Sequence, residues 1–250
     1  MNEHPPLFAV YGASGCGRGI MPLAREQLRR QGVAPERLVF VDDGAVDASV
    51  NGQRVLSYAD FVAAPAGERH VVLAIANSAV RERLAARCAA DGVRAWTVAA
   101  ANVVVMDEVV IGEGAALSPF VTLTSNIRIG RFFHANLYSY VEHDCVIGDF
   151  VTFAPGVKCN GNIVIEDHAY IGTGAVIKQG KPGQPLVIGR GAVVGMGAVV
   201  TKNVPPGATV VGNPARVMAG RGSCRSGASR EWAVKDRQGP ARQGVNVIRV

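Results

Sequence analysis

From Val105 to Ile177 the chain reads VMDEVVIGEGAALSPFVTLTSNIRIGRFFHANLYSYVEHDCVIGDFVTFAPGVKCNGNIVIEDHAYIGTGAVI. Thirteen apolar or small residues in this stretch stand six positions apart without a slip: Val105, Ile111, Leu117, Leu123, Ile129, Ala135, Val141, Ile147, Phe153, Cys159, Ile165, Ile171 and Ile177. A second column keeps the same beat four places later, from Val109 and Ala115 through Val121, Ile127, Cys145, Val151 and Val157 to Ala175. A period of six fits neither a helix, with 3.6 residues per turn, nor a simple alternating strand. It fits three short faces per turn of a β-solenoid whose column residues point toward the axis.

Gly follows many first-column residues, as in Ile111-Gly112, Ile129-Gly130, Ile147-Gly148 and Ile171-Gly172. A corner between two faces needs a tight bend and tolerance of positive φ, so these glycines are expected at left-handed turns. The beat then breaks twice, by five extra residues each time. Ile177 to Ile188 spans Lys181-Pro182-Gly183-Gln184-Pro185, and Val200 to Val211 spans Pro205-Pro206-Gly207. Both insertions predict loops projecting from a coil corner. Over Val103 to Met218 the pattern resembles the hexapeptide-repeat acyltransferases. A left-handed parallel β-helix is the fold this resemblance implies.

At 250 residues the chain has room for one large or two modest domains. No stretch approaches about 18 uninterrupted apolar residues, and Met1 to Pro6 has neither the basic flank nor the apolar run of a signal peptide. These features exclude a helical membrane protein and predict a cytoplasmic one. Five cysteines without a C-x-x-C pair read as reduced thiols, with Cys145 and Cys159 filling solenoid columns. The net charge of +6 is unevenly placed. Between Ala219 and Val250 seven basic residues face Glu231 and Asp236, a balance of +5, which leaves the body close to neutral. That Gly-, Ser-, Arg- and Gln-rich segment has no apolar periodicity, so residues 219–250 read as a disordered tail. Without a basic stripe interleaved with aromatics, nucleic acid is not an expected partner.

The first hundred residues read differently. The apolar run Leu7 to Tyr11 ends in Gly12-Ala-Ser-Gly-Cys-Gly17 and is followed by a helical stretch from about Arg18 to Gln31. A strand over Leu38 to Val41 ends in Asp42-Asp43-Gly44. Another over His70 to Ala76 ends in Asn77, with Ser78 placed to cap a helix running to about Ala90. Strand, Gly-rich turn and helix present backbone N–H groups to an anion. A small α/β unit of about three parallel strands follows, with the Gly turn, Asp42, Asp43 and Asn77 on its carboxyl edge. Carboxylates there suit the hydroxyls of a nucleotide ribose, while the unit is too short for a full dinucleotide fold. The organisation expected is therefore 1–100 as an α/β nucleotide-binding domain, 101–218 as the β-helix, and 219–250 as the tail.

A small α/β domain opening with Tyr-Gly-Ala-Ser-Gly-x-Gly, then Asp-Asp, then a β-helix containing Glu142-His143-Asp144-Cys145-Val146-Ile147-Gly148-Asp149-Phe150, resembles the bacterial nucleotide-sugar N-acetyltransferases. That group includes acetyltransferases of sialic acid, bacillosamine and perosamine, and the resemblance covers Leu7 to about Met218. It implies transfer from acetyl-CoA to the 4-amino group of a nucleotide-linked deoxysugar, with coenzyme lying between subunits of a homotrimer. It also implies that Ser14, Gly15, Cys16, Asp42 and Asp43 grip the nucleotide.

Acetyl transfer to an amine needs a base, donors for a tetrahedral oxyanion, and a slot for the pantetheine arm. His143 lies two places after column residue Val141, so it points off the solenoid, flanked by Glu142 and Asp144. In the resembling family the acid directly after the histidine falls on Asp144. Gly161 matches a family glycine whose N–H faces the thioester carbonyl. Thr152 and Thr173 match coenzyme contacts, although the better-known pattern has His at the Thr152 position. Gly197 could line the pantetheine groove, and Lys202 could meet coenzyme phosphates. His134 and His168 lack the E-H-D context and read as structural. The gaps of nine and twenty-five residues between the three histidines do not make a zinc set, so no metal is expected. Two rival readings are an O-acetyltransferase on a sialic-acid-like sugar and a non-catalytic trimeric scaffold that binds sugar nucleotides.

Overall fold

The apolar runs that alternate with helices in the first hundred residues are buried on both sides, which is the condition for the middle of a parallel sheet. The computed structural model describes residues 4–45 and 47–218, and the expected tail at 219–250 lies outside them. Strand β1 (Leu7–Tyr11) is wholly buried. Helix α1 (Gly15–Arg30) leads to β2 (Leu38–Val41), then β3 (Ser49–Val50), β4 (Gln53–Leu56), α2 (Tyr58–Ala63), β5 (Arg69–Leu73), α3 (Ser78–Ala90) and β6 (Arg94–Ala95). The sheet order is β3-β4-β2-β1-β5-β6. Neighbours are parallel except the β3–β4 hairpin, which turns through Asn51 and Gly52 at φ 51° and 75°. Six strands replace the three expected, because β3 and β6 are only two residues long and β4, Gln-Arg-Val-Leu, is half polar.

The alternation of a strand sorts β1 between two cores. Phe8 and Val10 pack with Ile20, Met21, Ala24 and Leu28 of α1. Leu7, Ala9 and Tyr11 pack on the other side with Tyr58, Phe61, Cys88, Phe132 and Phe150, and the last two belong to the solenoid.

The first solenoid strand is Val98–Ala99, which pairs with Ala116 and Leu117. The three faces of the solenoid are sheets of eight, six and five strands. The first face runs from Val98–Ala99 through His134–Ala135, Thr152–Phe153 and Val193–Val194 to Thr209–Val211 and Arg216–Val217, the second from Val104–Val105 through Tyr140–Val141 to Val199–Val200, and the third from Val109–Ile111 through Val146–Ile147 to Leu186–Ile188. Partners stand eighteen residues apart, as in Ala116 with His134 and His134 with Thr152, which is three faces of six. From Leu117 to Ile177 every first-column residue is buried, and together with the second column they form one continuous core.

Two details of the coil differ from expectation. The glycines after column residues are not left-handed. Left-handed φ falls three places after the column, at Glu108, Phe120, Asn126, Phe132, Tyr138, Asp144, Phe150, Asn162 and His168 and at Gly114, Gly156 and Gly174. Gly112, Gly130, Gly148 and Gly172 are instead required by space, because a Cβ on any of them would come within 2.7 Å of a neighbouring coil. The second expected insertion is also absent. Lys181 and Gln184 do bridge a projecting hairpin in the first one. After Val200, however, the coil is short: Val194 pairs with Val210 rather than with a residue further on, and the third face shrinks to a single bridge between Ile188 and Val204. Val210 is buried and Val211 is exposed, so Val210 carries the column. Consecutive prolines at 205 and 206 remove the ladder donors that a full strand would need. The chain then folds back, with Arg216 and Val217 antiparallel to Val211 and Val210.

The α/β unit is fastened to the first face and to the corner between the third and first faces. Arg81 of α3 is 0 % exposed and has no carboxylate partner among the described residues. Its guanidinium donates to the carbonyls of Ile75 (2.7 Å), Phe132 (3.1 Å) and Phe150 (2.6 Å) and to the Thr152 hydroxyl (3.0 Å). Burial pushes its pKa down to about 10, so it stays charged at neutral pH. Beside it, buried His134 donates from Nε2 to the Leu73 carbonyl (2.8 Å).

Candidate active site

Val141 closes a strand of the second face and Val146 opens one of the third, so Glu142 to Cys145 form a corner. Asp144 takes the left-handed turn, φ 58°, and stacks between Asn126 and Asn162 in the same conformation on adjoining coils. That turn throws the His143 and Asp144 side chains off the wall, where they are 42 % and 50 % exposed. Asp144 Oδ2 lies 2.7 Å from His143 Nδ1. A carboxylate only accepts, so the proton sits on Nδ1 and the Nε2 lone pair is left outward as a base.

The ring rests on the coil above it. A Cβ at Gly161 would lie 2.6 Å from both Cε1 and Nε2 of His143, so the imidazole occupies the place of a missing side chain. The residues expected to act together here, His143, Asp144 and Gly161, are therefore in contact or one atom from it. Gly161 is followed upward on this corner by Gly180, whose N–H donates to the Gly161 carbonyl (3.0 Å). A shallow cleft of about 220 Å³ continues from there between the 178–185 hairpin and Thr201 to Asn203, and it is lined by Lys178, Lys181 and Lys202. Lys202 thus has two further lysines beside it that sequence reading passed over. The hairpin insertion was the available signal.

Thr173 and Gly197 stand on a different corner, between the first and second faces. They are exposed neighbours, with the Gly197 N–H donating to the Thr173 carbonyl (2.8 Å). Thr152 does not join either group. It is 4 % exposed, its hydroxyl accepts from Arg81 and so helps fasten the two units, and it lies at the floor of a separate cleft beside Asn77 and His168.

At the carboxyl edge of the front sheet, Gly12 has φ 107° and Gly17 is packed so tightly that a Cβ would overlap the Gly12 carbonyl. This lets α1 begin at Gly15, earlier than expected, with Ser14 as N-cap and no side-chain hydrogen bond across it. Its first turn carries no acidic residue, leaving the positive helix end open to an anion. The two aspartates are less free than expected. Asp42 accepts from the Ala13 N–H (2.8 Å) and the Gly44 N–H (3.0 Å), and so braces the glycine loop. Asp43 accepts from the Tyr58 N–H (2.8 Å) and the Tyr11 hydroxyl (2.9 Å), with Arg87 at 3.4 Å. The Tyr58 amide is the largest cause holding its carboxyl below the usual range. Asn77, not Ser78, caps α3, accepting from the Val80 N–H (3.0 Å). Asn77 also borders a cleft of about 480 Å³ between α3 and the first face, with His168, Tyr170 and Arg190 opposite.

Among the described residues no three His, Cys, Asp or Glu side chains converge as metal ligands. Cys145 and Cys159 are buried, and the neighbouring Cys145 thiol, with burial adding to it, keeps the Cys159 sulfur protonated. Nothing in that pair offers an outward nucleophile. No described helix is long and apolar enough to cross a membrane.

No protein-family model matches the chain. A GDP-perosamine N-acetyltransferase of Escherichia coli O157:H7 is 54% identical over 212 residues, which cover 85% of this chain and 96% of that one. The solved structure of WeeI from Acinetobacter baumannii AYE is 62% identical with a TM-score of 0.83, covering 85% of this chain and all of that one at 100%. The acetyltransferase domain of PglB from Neisseria gonorrhoeae FA1090, solved in complex with acetyl coenzyme A, is 28% identical with a TM-score of 0.74 over 86% of this chain.

Proposed function

The chain belongs to the nucleotide-sugar N-acetyltransferases, and from that premise we propose that it carries the acetyl group of acetyl-CoA to the 4-amino group of a nucleotide-linked amino-deoxysugar. The relative from Escherichia coli O157:H7 is named for GDP-perosamine, which makes that compound the first acceptor to try. The N-acetyl assignment of the same relative favours the amine over the hydroxyl acceptor of the O-acetyl reading.

The observation that carries the reading is the His143–Asp144 pair, 2.7 Å apart, with the imidazole seated on Gly161. In the step proposed, the neutral amine attacks the thioester carbonyl while His143 Nε2 takes a proton from the nitrogen. Asp144 holds the ring and the Nδ1 proton, and the Gly161 N–H donates to the oxyanion. Collapse breaks the carbon–sulfur bond, and the imidazolium returns its proton to the departing thiolate, giving amide and free CoA. No acyl-enzyme is needed.

The carboxyl edge of the front sheet, at Ser14, Gly15, Cys16, Asp42, Asp43 and Asn77, is the proposed nucleotide platform, in which α1 presents its open end to phosphate. Asp42 and Asp43 would serve it by shaping the loop and with their remaining lone pairs. We propose a left-handed coil and a homotrimer. The front unit is fastened to one corner, His143 stands on a second, and Thr173 and Gly197 on a third, so one chain does not collect a site by itself. Phe120 and Tyr138 stack 4.8 Å apart on the Thr173 corner, exposed with Leu137 and Met196, which is apolar surface that a neighbouring copy would cover. A pantetheine arm between two copies could then run from Gly161 toward Lys202. A cytoplasmic setting accords with an acetyl-CoA donor.

The test is thiol release from acetyl-CoA with GDP-, UDP- and dTDP-linked 4-amino sugars. Release that needs an amino-sugar nucleotide, with N-acetyl product by mass, is the expected result. Binding without thiol release across the panel would leave the scaffold reading instead.

A further inference from the structure

One residue that the mechanism does not use has every polar group of its side chain and its carbonyl engaged, directly behind the seat of the imidazole. Asn160 Oδ1 accepts from the Tyr140 hydroxyl at 3.0 Å, and its Nδ2 donates to the Ile177 carbonyl of the next coil at 2.7 Å. The Asn160 carbonyl accepts from the Cys145 thiol at 3.3 Å, with the Cys159 sulfur 3.9 Å away. Both thiols are buried, so this carbonyl points into the coil. In a planar trans peptide the following N–H points the opposite way. The Gly161 N–H is thereby turned outward, and it meets no acceptor among the described residues. On the same glycine, the absent side chain is where the His143 ring lies.

We infer that Asn160 is a positioning residue: clamped by Tyr140 and Ile177, it fixes the Asn160–Gly161 peptide so that one backbone unit both aims the Gly161 N–H outward and seats the His143 imidazole. The inference rests on the acetyl-transfer reading for its effect on rate, though not for its effect on the ring. Tyr140 belongs to the coil of His143 and Ile177 to the coil beyond Gly161, so the clamp ties three successive coils of one corner together. Rotation of this peptide would move the oxyanion donor and the base at once. A displacement of about 1 Å between reacting groups can cost on the order of a hundredfold in rate.

The variants are Asn160→Ala and the milder Tyr140→Phe, made in the full chain and assayed well below their melting temperatures. For Asn160→Ala the expected kcat is lower by about tenfold to a hundredfold, with KM for both substrates within about twofold of the parent. Tyr140→Phe removes one hydrogen bond from a half-buried ring, and its expected kcat is about threefold to tenfold lower with the same KM pattern. The independent readout is the Cε1–H resonance of His143, assigned by its loss in His143→Ala. Its chemical shift at fixed pH should be displaced in Asn160→Ala while that of exposed His4 stays in place. If Asn160→Ala does not fold, Tyr140→Phe with both readouts decides the matter. Parental kcat in a folded variant, or a change confined to KM, overturns the inference. If the parent transfers acetyl to no amino sugar, the functional reading fails on its own. The resonance then decides: a displaced chemical shift upholds the positioning role and an unchanged one overturns it.

Discussion

The corner bearing Asp144 and the corner bearing Phe132, Phe150 and His168 are made by the same backbone turn, at φ 58° in the first and 54°, 61° and 63° in the second. Their side chains put them to opposite uses. On the third-to-first corner the rings stack at 5.2 and 5.3 Å, and both phenylalanines disappear beneath the front unit. On the second-to-third corner the turn lifts a histidine–carboxylate pair into solvent over a glycine. Because each column residue points inward whatever the corner carries, the coil stays intact while the outward residues are free to anchor a domain or hold a proton. A solenoid therefore separates what folds it from what it does, coil by coil.

The anchoring corner should break hardest. Arg81→Met keeps much of the aliphatic bulk but leaves the Ile75, Phe132 and Phe150 carbonyls and the Thr152 hydroxyl without their donor. Buried groups orphaned in this way cost about 1–3 kcal/mol each, so the four together put the expected loss at the interface at about 4 kcal/mol or more. It should appear as early melting of the front unit ahead of the solenoid, read by calorimetry and by proteolysis near residues 96–97. A single transition at the parental temperature would show that stacking alone holds the corner.

The working corner should behave in the reverse manner, losing rate and not stability. His143→Ala is expected to lower kcat by at least about a hundredfold while the melting free energy moves by less than about 0.5 kcal/mol, since the ring is half exposed. Gly161→Ala probes the same contact from beneath. Position 161 is not left-handed, so alanine is allowed by the backbone, and its methyl meets only the imidazole within 3 Å. A fall in kcat of about tenfold or more is expected in the parent, shrinking to under about twofold when His143 is already alanine. Equal losses in both backgrounds would mean that Gly161 acts without the ring.

The two corners also differ in how well the sequence announces them. Column positions are readable because an inward residue must be apolar or small every six places, and Glu-His-Asp stands out against that beat as charge on an outward loop. The glycines were visible but their reason was not. Gly112 and Gly130 avoid a collision with the next coil, a distance between residues eighteen apart that no local pattern expresses. Asn51-Gly52 was a local signal of a hairpin that the reading missed, since Ser49–Val50 is only two residues long. Arg81 and Asn160 carry no signal at all. A buried arginine satisfied by carbonyls, and an asparagine clamped between coils, are defined by partners far away in sequence. The slot of Thr152 is legible in the same way, whereas the guanidinium bonded to its hydroxyl is not.

His134, two residues from Phe132, offers a milder way to separate the corners, through pH. Burial is the main cause that brings its pKa down to about 3, with the Arg81 charge adding to it. The folded chain thus holds it neutral, whereas the unfolded chain protonates it near about 6.5. Its contribution is present above the unfolded pKa and drains away as pH falls below it, at up to roughly 1.4 kcal/mol per pH unit, or about 2 kcal/mol by pH 5. His134→Gln retains a donor for the Leu73 carbonyl and has no proton to gain, so between pH 6.5 and 5 its stability should fall less steeply than that of the parent. The difference belongs to the anchoring corner, and so it should persist undiminished in the His143→Ala background. If removing His143 flattened the acid limb instead, the exposed pair would be contributing to stability, and the separation between what folds the solenoid and what it does would fail at this corner.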